Sequence, residues 1–348
     1  MIWARPLTGA GVLAHAAENM LVLYRETAIN GSDVAVSGAV ALPKGTPPGD
    51  GWPVISWAHG TTGNAPLCAP TREEDGPNEE QSYLDAWVAR GYAVVQTDYE
   101  GQGTPGLHPY FVGAAAAHDV TDMVRAARAL YPQIGKRWFA FGHSEGGSAS
   151  IFTAAIGPGW APELTLEGAV SFAPGSHIGS MLNAMPNITR PTRAIVFMLE
   201  MIEGIASVDP AIDLREILTP EALAKLPSLQ ERCAGDLMND DGWVSMPPAQ
   251  VFQPHADLKA LARDFALNEA NHVLPRVRLL LLQGTADTIV SSSATNAVDA
   301  ELCAHGANVT YDLLEGMAHD TIMAGSLPQT EAWVDGVAAG APPKPNCS

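Results

Sequence analysis

Short apolar runs alternate with amphipathic, helix-like stretches along most of the chain. Five of the runs have the length of buried strands, namely residues 53–58, 92–97, 138–141, 168–172 and 277–282. Between them, apolar residues recur at helical spacing, as they do from Val120 to Leu130. Strands and helices in this order predict a mostly parallel sheet with right-handed crossovers.

Both ends of the chain add to this pattern. Residues 21–28 and 33–42 are rich in strand-forming residues and flank Asn30-Gly31, the strongest short signal for a β-hairpin. The chain is therefore expected to open with antiparallel strands. Near its end, residues 308–314 alternate like a strand, and residues 327–339 predict a closing helix.

The alternation stops between residues 173 and 274. This segment contains helical pieces, one of which begins at Thr219-Pro220-Glu221 with a capping residue followed by proline. A connection of this length is not expected to be a bare loop in a compact domain. We predict an α/β core formed by residues 1–172 and 275–348, and a helical cap formed by residues 173–274 above the strand ends.

The run at 138–141 ends abruptly in Gly142-His143-Ser144-Glu145-Gly146, and a small-residue stretch with helical character follows. A G-x-S-x-G motif between a strand and a helix is typical of the nucleophile elbow of α/β-hydrolases. Its serine adopts strained backbone geometry, and its glycines avoid collisions with the neighbouring elements. The motif predicts the α/β-hydrolase fold and Ser144 as a nucleophile.

A serine hydroxyl needs an adjacent base, and the base needs an acid that orients it. In this fold the three residues follow in the order serine, acid, histidine. Asp287 and His319 meet that order, and each lies just past the end of a predicted strand. Asp312, in strand register, and Asp320, beside the base, remain alternative acids.

An oxyanion hole needs two hydrogen-bond donors near the serine. The main-chain N–H of Glu145, directly after the serine, is the first candidate. The strand at 53–58 is followed by His59-Gly60-Thr61-Thr62-Gly63, at the position where many α/β-hydrolases place the second donor. Thr61 is therefore a candidate, and a plain glycine turn is the alternative interpretation.

Composition and charge exclude several classes of function. The chain has 348 residues, is 47% hydrophobic and carries a formal net charge of −19, which argues against nucleic acid and anionic membrane surfaces as partners. No apolar run is long enough to span a bilayer. The first twenty residues make a poor signal peptide. The chain is thus either a mature exported protein or a cytoplasmic one.

The four cysteines, Cys68, Cys233, Cys303 and Cys347, are far apart in sequence. Without a C-x-x-C pair, a zinc site is not expected. Two disulfides in an exported protein and four buried free thiols both fit this distribution.

The chain resembles secretory lipases of the lipase A type. The matching stretches are residues 56–63 with 68–70, 98–101, 142–147, 160–164, 284–287 and 303–309, running on to His319. They span the core, whereas the cap matches only in position and size. The resemblance implies an esterase or lipase with Ser144, Asp287 and His319 as its triad. It also implies a second oxyanion donor from Asp98, which competes with Thr61.

The resemblance further implies export, secreted or periplasmic, which favours disulfides over free thiols. We hypothesise that Cys303 pairs with Cys347, which would tie the proline-rich tail to the helix before the last strand. Cys68 and Cys233 would then join the core to the cap. No metal or cofactor is implied, and the expected partner is a small-molecule or lipid ester, with contact to a lipid interface left open.

Several residues are candidates for binding the substrate. Tyr99 and His143 lie beside the predicted site residues, and Phe197, Met198 and Met201 belong to an apolar stretch of the cap that could line an acyl pocket, since methionine adapts to irregular ligands. The alternative is that this stretch is the apolar core of the cap.

The favoured function is hydrolysis of carboxylic esters through an acyl-enzyme. A serine peptidase or amidase of the same fold would need the same triad, so sequence does not separate the two. A non-catalytic binding protein on this scaffold would usually lack part of the triad, which favours an enzyme. The fold alone decides nothing, because it hosts many activities.

Overall fold

A computed structural model describes residues 1–9, 11–72, 79–239 and 241–347, with only the backbone of residue 241. Nine strands in these residues form one sheet: β1 Trp3–Pro6, β2 Ala16–Thr27, β3 Asp33–Pro43, β4 Trp52–Ala58, β5 Ala93–Thr97, β6 Ile134–His143, β7 Thr165–Phe172, β8 Arg278–Gly284 and β9 Val309–Leu314.

Helices follow or separate most of these strands. They are α1 Glu79–Ala89, α2 Gly113–Leu130, α3 Glu145–Trp160, α4 Ile178–Ala184, α5 Ala194–Ala206, α6 Leu214–Ile217, α7 Pro220–Lys225, α8 Ala234–Asn239, α9 Asp241–Val244, α10 Lys259–Leu267, α11 Ser292–Ala304, α12 Ile322–Gly325 and α13 Leu327–Ala338. Short 3-10 turns cover Pro66–Cys68, Pro70–Arg72, Met185–Asn187, Leu226–Gln230, Pro248–Gln250 and Ala270–His272. No helix within the described ranges is both long and apolar enough to cross a bilayer.

The strand order is β1-β2-β3-β5-β4-β6-β7-β8-β9. Strands β1, β2, β3 and β5 pair antiparallel in that order, and every pairing from β5 through β4 to β9 is parallel. The predicted mostly parallel sheet and the opening hairpin are confirmed. Gly31 has φ +83°, as the tight β2–β3 turn requires. The short, exposed strand β1 has no counterpart in the sequence prediction.

Two apolar layers cover the faces of the sheet. Because side chains alternate along a strand, Val54 of β4 faces the layer formed with α2, α3 and α11, whereas its neighbour Ile55 faces the layer formed with α1, α12 and α13. Trp87 of α1 and Trp333 of α13 fill the second layer. The carboxyl ends of the six parallel strands, β4 to β9, thus lie at one edge of a sheet that is buried on both faces.

Residues 173–274 form helices α4 to α10 and a third apolar cluster of their own. Helix α7 begins as predicted, with Thr219 Oγ1 accepting the Ala222 N–H and Pro220 in the first turn. The cluster packs onto the core at Tyr110, whose backbone approaches Gly204 so closely that a Cβ at Gly204 would lie 2.4 Å from the Tyr110 nitrogen. We propose that this segment is the cap, with its boundaries where the sequence predicts them.

Both hypothesised disulfides are present in the structure. Cys68 is bonded to Cys233 and Cys303 to Cys347. The first bridge joins the loop before α1 to the residue before α8, and so joins core to cap. The second holds the tail against α11. The sequence between Cys68 and α1 is polar, and its residues 73–78 lie outside the described part of the chain.

Replacing Cys303 and Cys347 together by alanine should lower the free energy of unfolding by about 2–4 kcal/mol, because the bridge restricts the unfolded chain over a long loop. Urea denaturation of the variant and the parent protein under non-reducing conditions measures this difference. Peptide mapping after alkylation of the unreduced parent is the control and should find no modified cysteine. An unchanged midpoint, or four alkylated cysteines in the folded parent, would contradict the bridges.

Candidate active site

Ser144 lies at the sharp turn between β6 and α3. Its backbone has φ +58° and ψ −113°, a region that non-glycine residues rarely adopt. Glycines flank it because nothing larger fits: a Cβ on Gly142 would lie 2.0 Å from the Gly146 carbonyl oxygen, and one on Gly146 would lie 1.9 Å from that of Ala58. Between residues 138 and 155, Ser144 is the one residue that is not buried.

Hydrogen bonds from neighbouring loops hold the backbone of this turn. The Ser144 N–H donates to the Phe172 carbonyl over 2.9 Å, and the Ser144 carbonyl accepts the Gly175 N–H over 3.0 Å. Both partners lie at the end of β7, where the chain leaves the core for the cap. The strained turn is therefore held by the adjacent strand and the segment after it.

Asp287 follows β8 and has a buried side chain. Its Oδ1 accepts the main-chain N–H groups of Ile289 and Val290, and its Oδ2 accepts His319 Nδ1 over 2.7 Å and the Gln283 amide over 3.0 Å. Burial alone would raise the pKa of this carboxyl. The hydrogen bond and charge of His319, with the two N–H donors, outweigh burial and lower it.

His319 lies after β9 and presents one ring nitrogen to Asp287. Because Nδ1 donates to the Asp287 carboxylate, Nε2 of the neutral ring is left with its lone pair. The His319 carbonyl accepts His143 Nε2 over 2.9 Å, and the two rings lie 4.5 Å apart. This bond ties the base to the residue before Ser144. Among the described residues, no hydrogen bond joins the Ser144 hydroxyl to His319; in free enzymes that bond is often long.

The alternative acids lie elsewhere. Asp312 is partly buried in β9, Asp320 is exposed, and within the described ranges neither bonds to His319. Gln283 was not found from the sequence: its amide donates to Asp287 and its carbonyl accepts Thr295 Oγ1 over 2.6 Å, so it orients the acid. The signal in the sequence that could have pointed to Gln283 was its position as a polar residue after four leucines in β8.

The loop after β4 reaches the nucleophile. A Cβ on Gly60 would lie 3.6 Å from the Ser144 Cβ. The next residue, Thr61, shares a hydrogen bond of 2.5 Å between its Oγ1 and the Tyr110 hydroxyl. The Glu145 N–H is at the first position of α3, where a helix offers no internal acceptor. The loop that carries Thr61 and the Glu145 N–H therefore both lie next to Ser144.

Asp98 forms its hydrogen bonds with residues other than those around Ser144. Its N–H donates to the Ser37 carbonyl, and its carboxylate accepts Ser37 Oγ, Thr71 Oγ1 and the Thr71 N–H at 2.6–3.0 Å. Burial raises the pKa of the Asp98 carboxyl. Because its donors and acceptors are occupied, the structure favours Thr61 over Asp98 as the second oxyanion donor, and the choice stays a prediction.

The secretory lipase family model matches residues 78–346, more than two thirds of the chain. The chain belongs to the secretory lipase family. The family and the fold support an ester hydrolase, and the family together with the two disulfides points to a secreted protein.

Individual relatives of this chain are distant. A Mycobacterium tuberculosis protein named a probable inactive lipase is 26% identical over 344 residues, 92% of this chain and 74% of that protein. Lipase A of Arthroderma benhamiae is 26% identical over 265 residues, 72% of this chain and 54% of that lipase. The closed-state structure of Candida antarctica lipase A has a TM-score of 0.81 over 99% of this chain and 83% of that one, at 16% identity, and so supports the fold.

The remaining residues predicted to contact the substrate are mostly buried. Burial and the neighbouring charge of His319 lower the pKa of His143 to about 3, so its ring is neutral and holds the His319 carbonyl. Tyr99 has no exposed surface and donates its hydroxyl to the His59 carbonyl over 3.0 Å. Both side chains are hydrogen-bonded to the backbone of residues at the site. A direct contact of either side chain with substrate stays a prediction.

The apolar stretch of α5 lies largely within the cap. Met198 and Met201 are buried in the cap cluster, whereas Phe197 is partly buried against it. This placement favours the alternative that the two methionines form the core of the cap. Within the described residues, no group of three or more histidine, cysteine, aspartate or glutamate side chains is arranged to hold a metal ion.

Proposed function

We propose that the protein is a serine carboxylic-ester hydrolase that works through an acyl-enzyme. The observation that carries the proposal is the 2.7 Å bond from His319 Nδ1 to the buried Asp287 carboxylate. This bond leaves Nε2 of a histidine tethered beside the elbow serine ready to accept a proton. The glycine-flanked turn presents the Ser144 hydroxyl at the same edge of the sheet.

Each half of the reaction uses the same groups. Ser144 Oγ attacks the ester carbonyl while His319 Nε2 takes its proton, and the N–H of Glu145 and a donor from the Thr61 loop bind the oxyanion. His319 then passes the proton to the departing alcohol, and the acyl group stays on Ser144. Water attacks this acyl-enzyme with His319 again as base, which releases the acid and restores the serine.

The test is a rate profile over p-nitrophenyl esters from acetate to palmitate, with and without an oil interface. We expect hydrolysis that depends on Ser144 and varies smoothly with acyl length, since one methylene in an apolar pocket contributes about 1 kcal/mol. A preference for matched anilides over esters would favour a peptidase or amidase. A rise at the interface would identify a lipase, and its absence an esterase.

A second candidate function is ligand binding without catalysis. It is favoured by the relative named a probable inactive lipase. In this chain, however, His319 bonds to the buried Asp287, and its carbonyl bonds to His143, the residue before Ser144, which supports catalysis. Absence of hydrolysis of every ester, combined with retained binding of fatty acid to folded protein, would favour the binding protein.

We also propose that the cap forms the wall of the acyl site. It contacts the loop that reaches Ser144: the Ala234 N–H donates to the Thr62 carbonyl over 2.9 Å, and the Asn64 amide donates to the Glu200 carbonyl over 3.1 Å. A cap in this place excludes water from the oxyanion hole and strengthens its electrostatics.

Phe197→Ala should shift the optimum toward longer acyl chains, because Phe197 is the partly buried member of the three candidates. Its acetate rate should stay within about threefold. Met201→Ala is the matched control: truncation of this buried residue should lower the free energy of unfolding by about 2–5 kcal/mol without changing chain-length preference. Chain-length profiles and melting temperatures measured on both variants separate the two effects. An unchanged profile in Phe197→Ala would leave α5 a structural element.

A further inference from the structure

A second histidine–carboxylate pair lies directly behind the nucleophile elbow. His108 and Glu145 are both buried, with 3% and 4% of their surface exposed. His108 Nε2 lies 3.2 Å from Glu145 Oε1, and His108 Nδ1 lies 2.9 Å from the Glu100 carbonyl oxygen. Glu145 is also the residue whose main-chain N–H faces the oxyanion in the proposed mechanism. The triad leaves His108 unused.

The geometry sets the proton count of this pair. A carbonyl can only accept, so His108 Nδ1 carries a proton and donates it to Glu100. Nε2 then either donates a second proton to the Glu145 carboxylate or accepts one from its carboxyl. In both cases a single proton lies between the two side chains. Where the histidine carries both protons and the glutamate is ionised, the bond is charge-assisted and therefore stronger than a neutral one.

The same histidine contacts the other half of the oxyanion hole. Its ring stacks on Tyr99 with centroids 5.5 Å apart and an interplanar angle of 15°. Tyr99 donates its hydroxyl to the His59 carbonyl and packs at a tilt against the His59 ring, with the centroids 4.3 Å apart. Tyr110, 5.8 Å from His108, bonds to Thr61. Tyr99 adopts φ +65°, a strained conformation that its contacts must hold.

We propose that His108 and Glu145 are a positioning pair for the oxyanion hole. The pair fixes the first residue of α3, and with it the Glu145 N–H. Through Tyr99 and Tyr110, His108 also fixes the loop that carries Thr61. The proposal rests on the ester hydrolase mechanism above and adds to it the residues that align both donors.

Alignment of these donors affects turnover more than substrate binding. Oxyanion donors act where charge develops in the transition state, and loss of one donor costs about 10²–10³ in kcat. A donor that is displaced and not removed should cost part of that factor. Supporting residues matter because donors must be held within about 0.5 Å of their productive positions.

The pair also predicts a pH dependence. Burial opposes the charged form of His108, but the bond to Glu145 outweighs it, and the pKa of His108 is raised. The contribution of protonated His108 is present at low pH and is lost as pH rises through the raised pKa of His108 in the folded protein. Turnover should therefore have an alkaline limb. The titratable groups facing the pair from the surrounding elements are Glu100, Asp119, His59, Tyr99, Tyr110, Glu200 and Glu203.

Kinetics of four variants on p-nitrophenyl butyrate test the proposal. Glu145→Ala and His108→Ala should each lower kcat by about 10–100-fold with KM within about threefold. The kcat of the double variant should be no lower than that of the less active single variant, because both changes break the same bond between His108 and Glu145. Glu145→Gln keeps the shape and donates its amide to the neutral ring, so it should restore most of the kcat that Glu145→Ala loses, and it should lose the alkaline limb.

Two controls separate this role from general damage. Asp264→Ala removes another buried carboxylate with a cationic partner, bonded to Arg263 on α10; it should lower stability and leave kcat unchanged. Burial and the charges of Glu145 and Glu203 raise the pKa of Glu200 to about 8, so Glu200→Gln should leave the alkaline limb in place if His108 causes it.

The outcomes distinguish this inference from the proposed function. Loss of hydrolysis in Ser144→Ala, together with unchanged kcat in folded Glu145→Ala and His108→Ala, would overturn the positioning pair and leave the ester hydrolase intact. No hydrolysis by the parent protein would overturn both. If the alanine variants do not fold, the profile of Glu145→Gln decides, and an alkaline limb identical to that of the parent would overturn the proposal.

Discussion

Replacing Ser144 by alanine should lower kcat for ester hydrolysis by a factor on the order of 10⁵–10⁶ and leave the melting temperature nearly unchanged. The loss is large because no other group at the elbow can form the acyl-enzyme. The fold should persist because alanine keeps the Cβ that this turn already holds at φ +58°. A fluorophosphonate probe, followed by peptide mass spectrometry, should label Ser144 in the parent protein and nothing in the variant.

Ser150→Ala is the matched control. Ser150 lies on α3, the helix that follows Ser144. It is fully buried and donates its hydroxyl to the Gly147 carbonyl. This variant should keep both turnover and labelling. Hydrolysis by Ser144→Ala at the rate of the parent, or a probe adduct on another serine, would remove Ser144 from the mechanism.

Asp287→Asn should lower kcat by about 10⁴ with little change in KM. Ile289 and Val290 would still donate to the oxygen of the new side chain. The NH₂ group would then face His319 Nδ1 and force it to accept, which moves the ring proton to Nε2. A ring protonated at Nε2 cannot take the proton of Ser144. Steady-state kinetics at neutral pH measure the loss.

The alternative acids supply the controls for this experiment. Asp312→Asn and Asp320→Asn should keep turnover, and a loss of the same size in either variant would reassign the acid. Because the pKa of Asp287 is lowered in the folded protein, its charge contributes stability above the unfolded value of about 4. That contribution is lost as pH falls through the folded pKa, and Asp287→Asn should lack this acid-side loss.

Local patterns predicted the parts of the site that depend on local geometry. The G-x-S-x-G turn was recognisable because both outer positions must be glycine. A Cβ at either one would lie 2.0 Å or less from a backbone carbonyl oxygen. Asp287 and His319 were predictable because each follows a strand of a parallel sheet, and the carboxyl ends of such strands meet at one edge. The cysteine pairs were a hypothesis drawn from position, and the structure contains them.

Contacts between distant segments were beyond the same reasoning. Asp98 and Thr61 could not be ranked from the sequence, because the answer depends on bonds from Ser37 and Thr71 to Asp98. The methionines of α5 have a pattern that suits either an acyl pocket or a cap core. Gln283 was overlooked because its partners, Asp287 and Thr295, meet it only after β8 and α11 pack together.

The sequence by itself predicted the order of the main strands and helices, a helical segment at residues 173–274, and an elbow serine with its candidate acid and base. These follow from periodicity and backbone sterics, which act between residues close in the chain. Tertiary structure alone decided that His108, dozens of residues before the elbow, lies against Glu145 and stacks on Tyr99. The physical reason is that a buried polar group must find a partner, and which partner it meets depends on how separate elements pack.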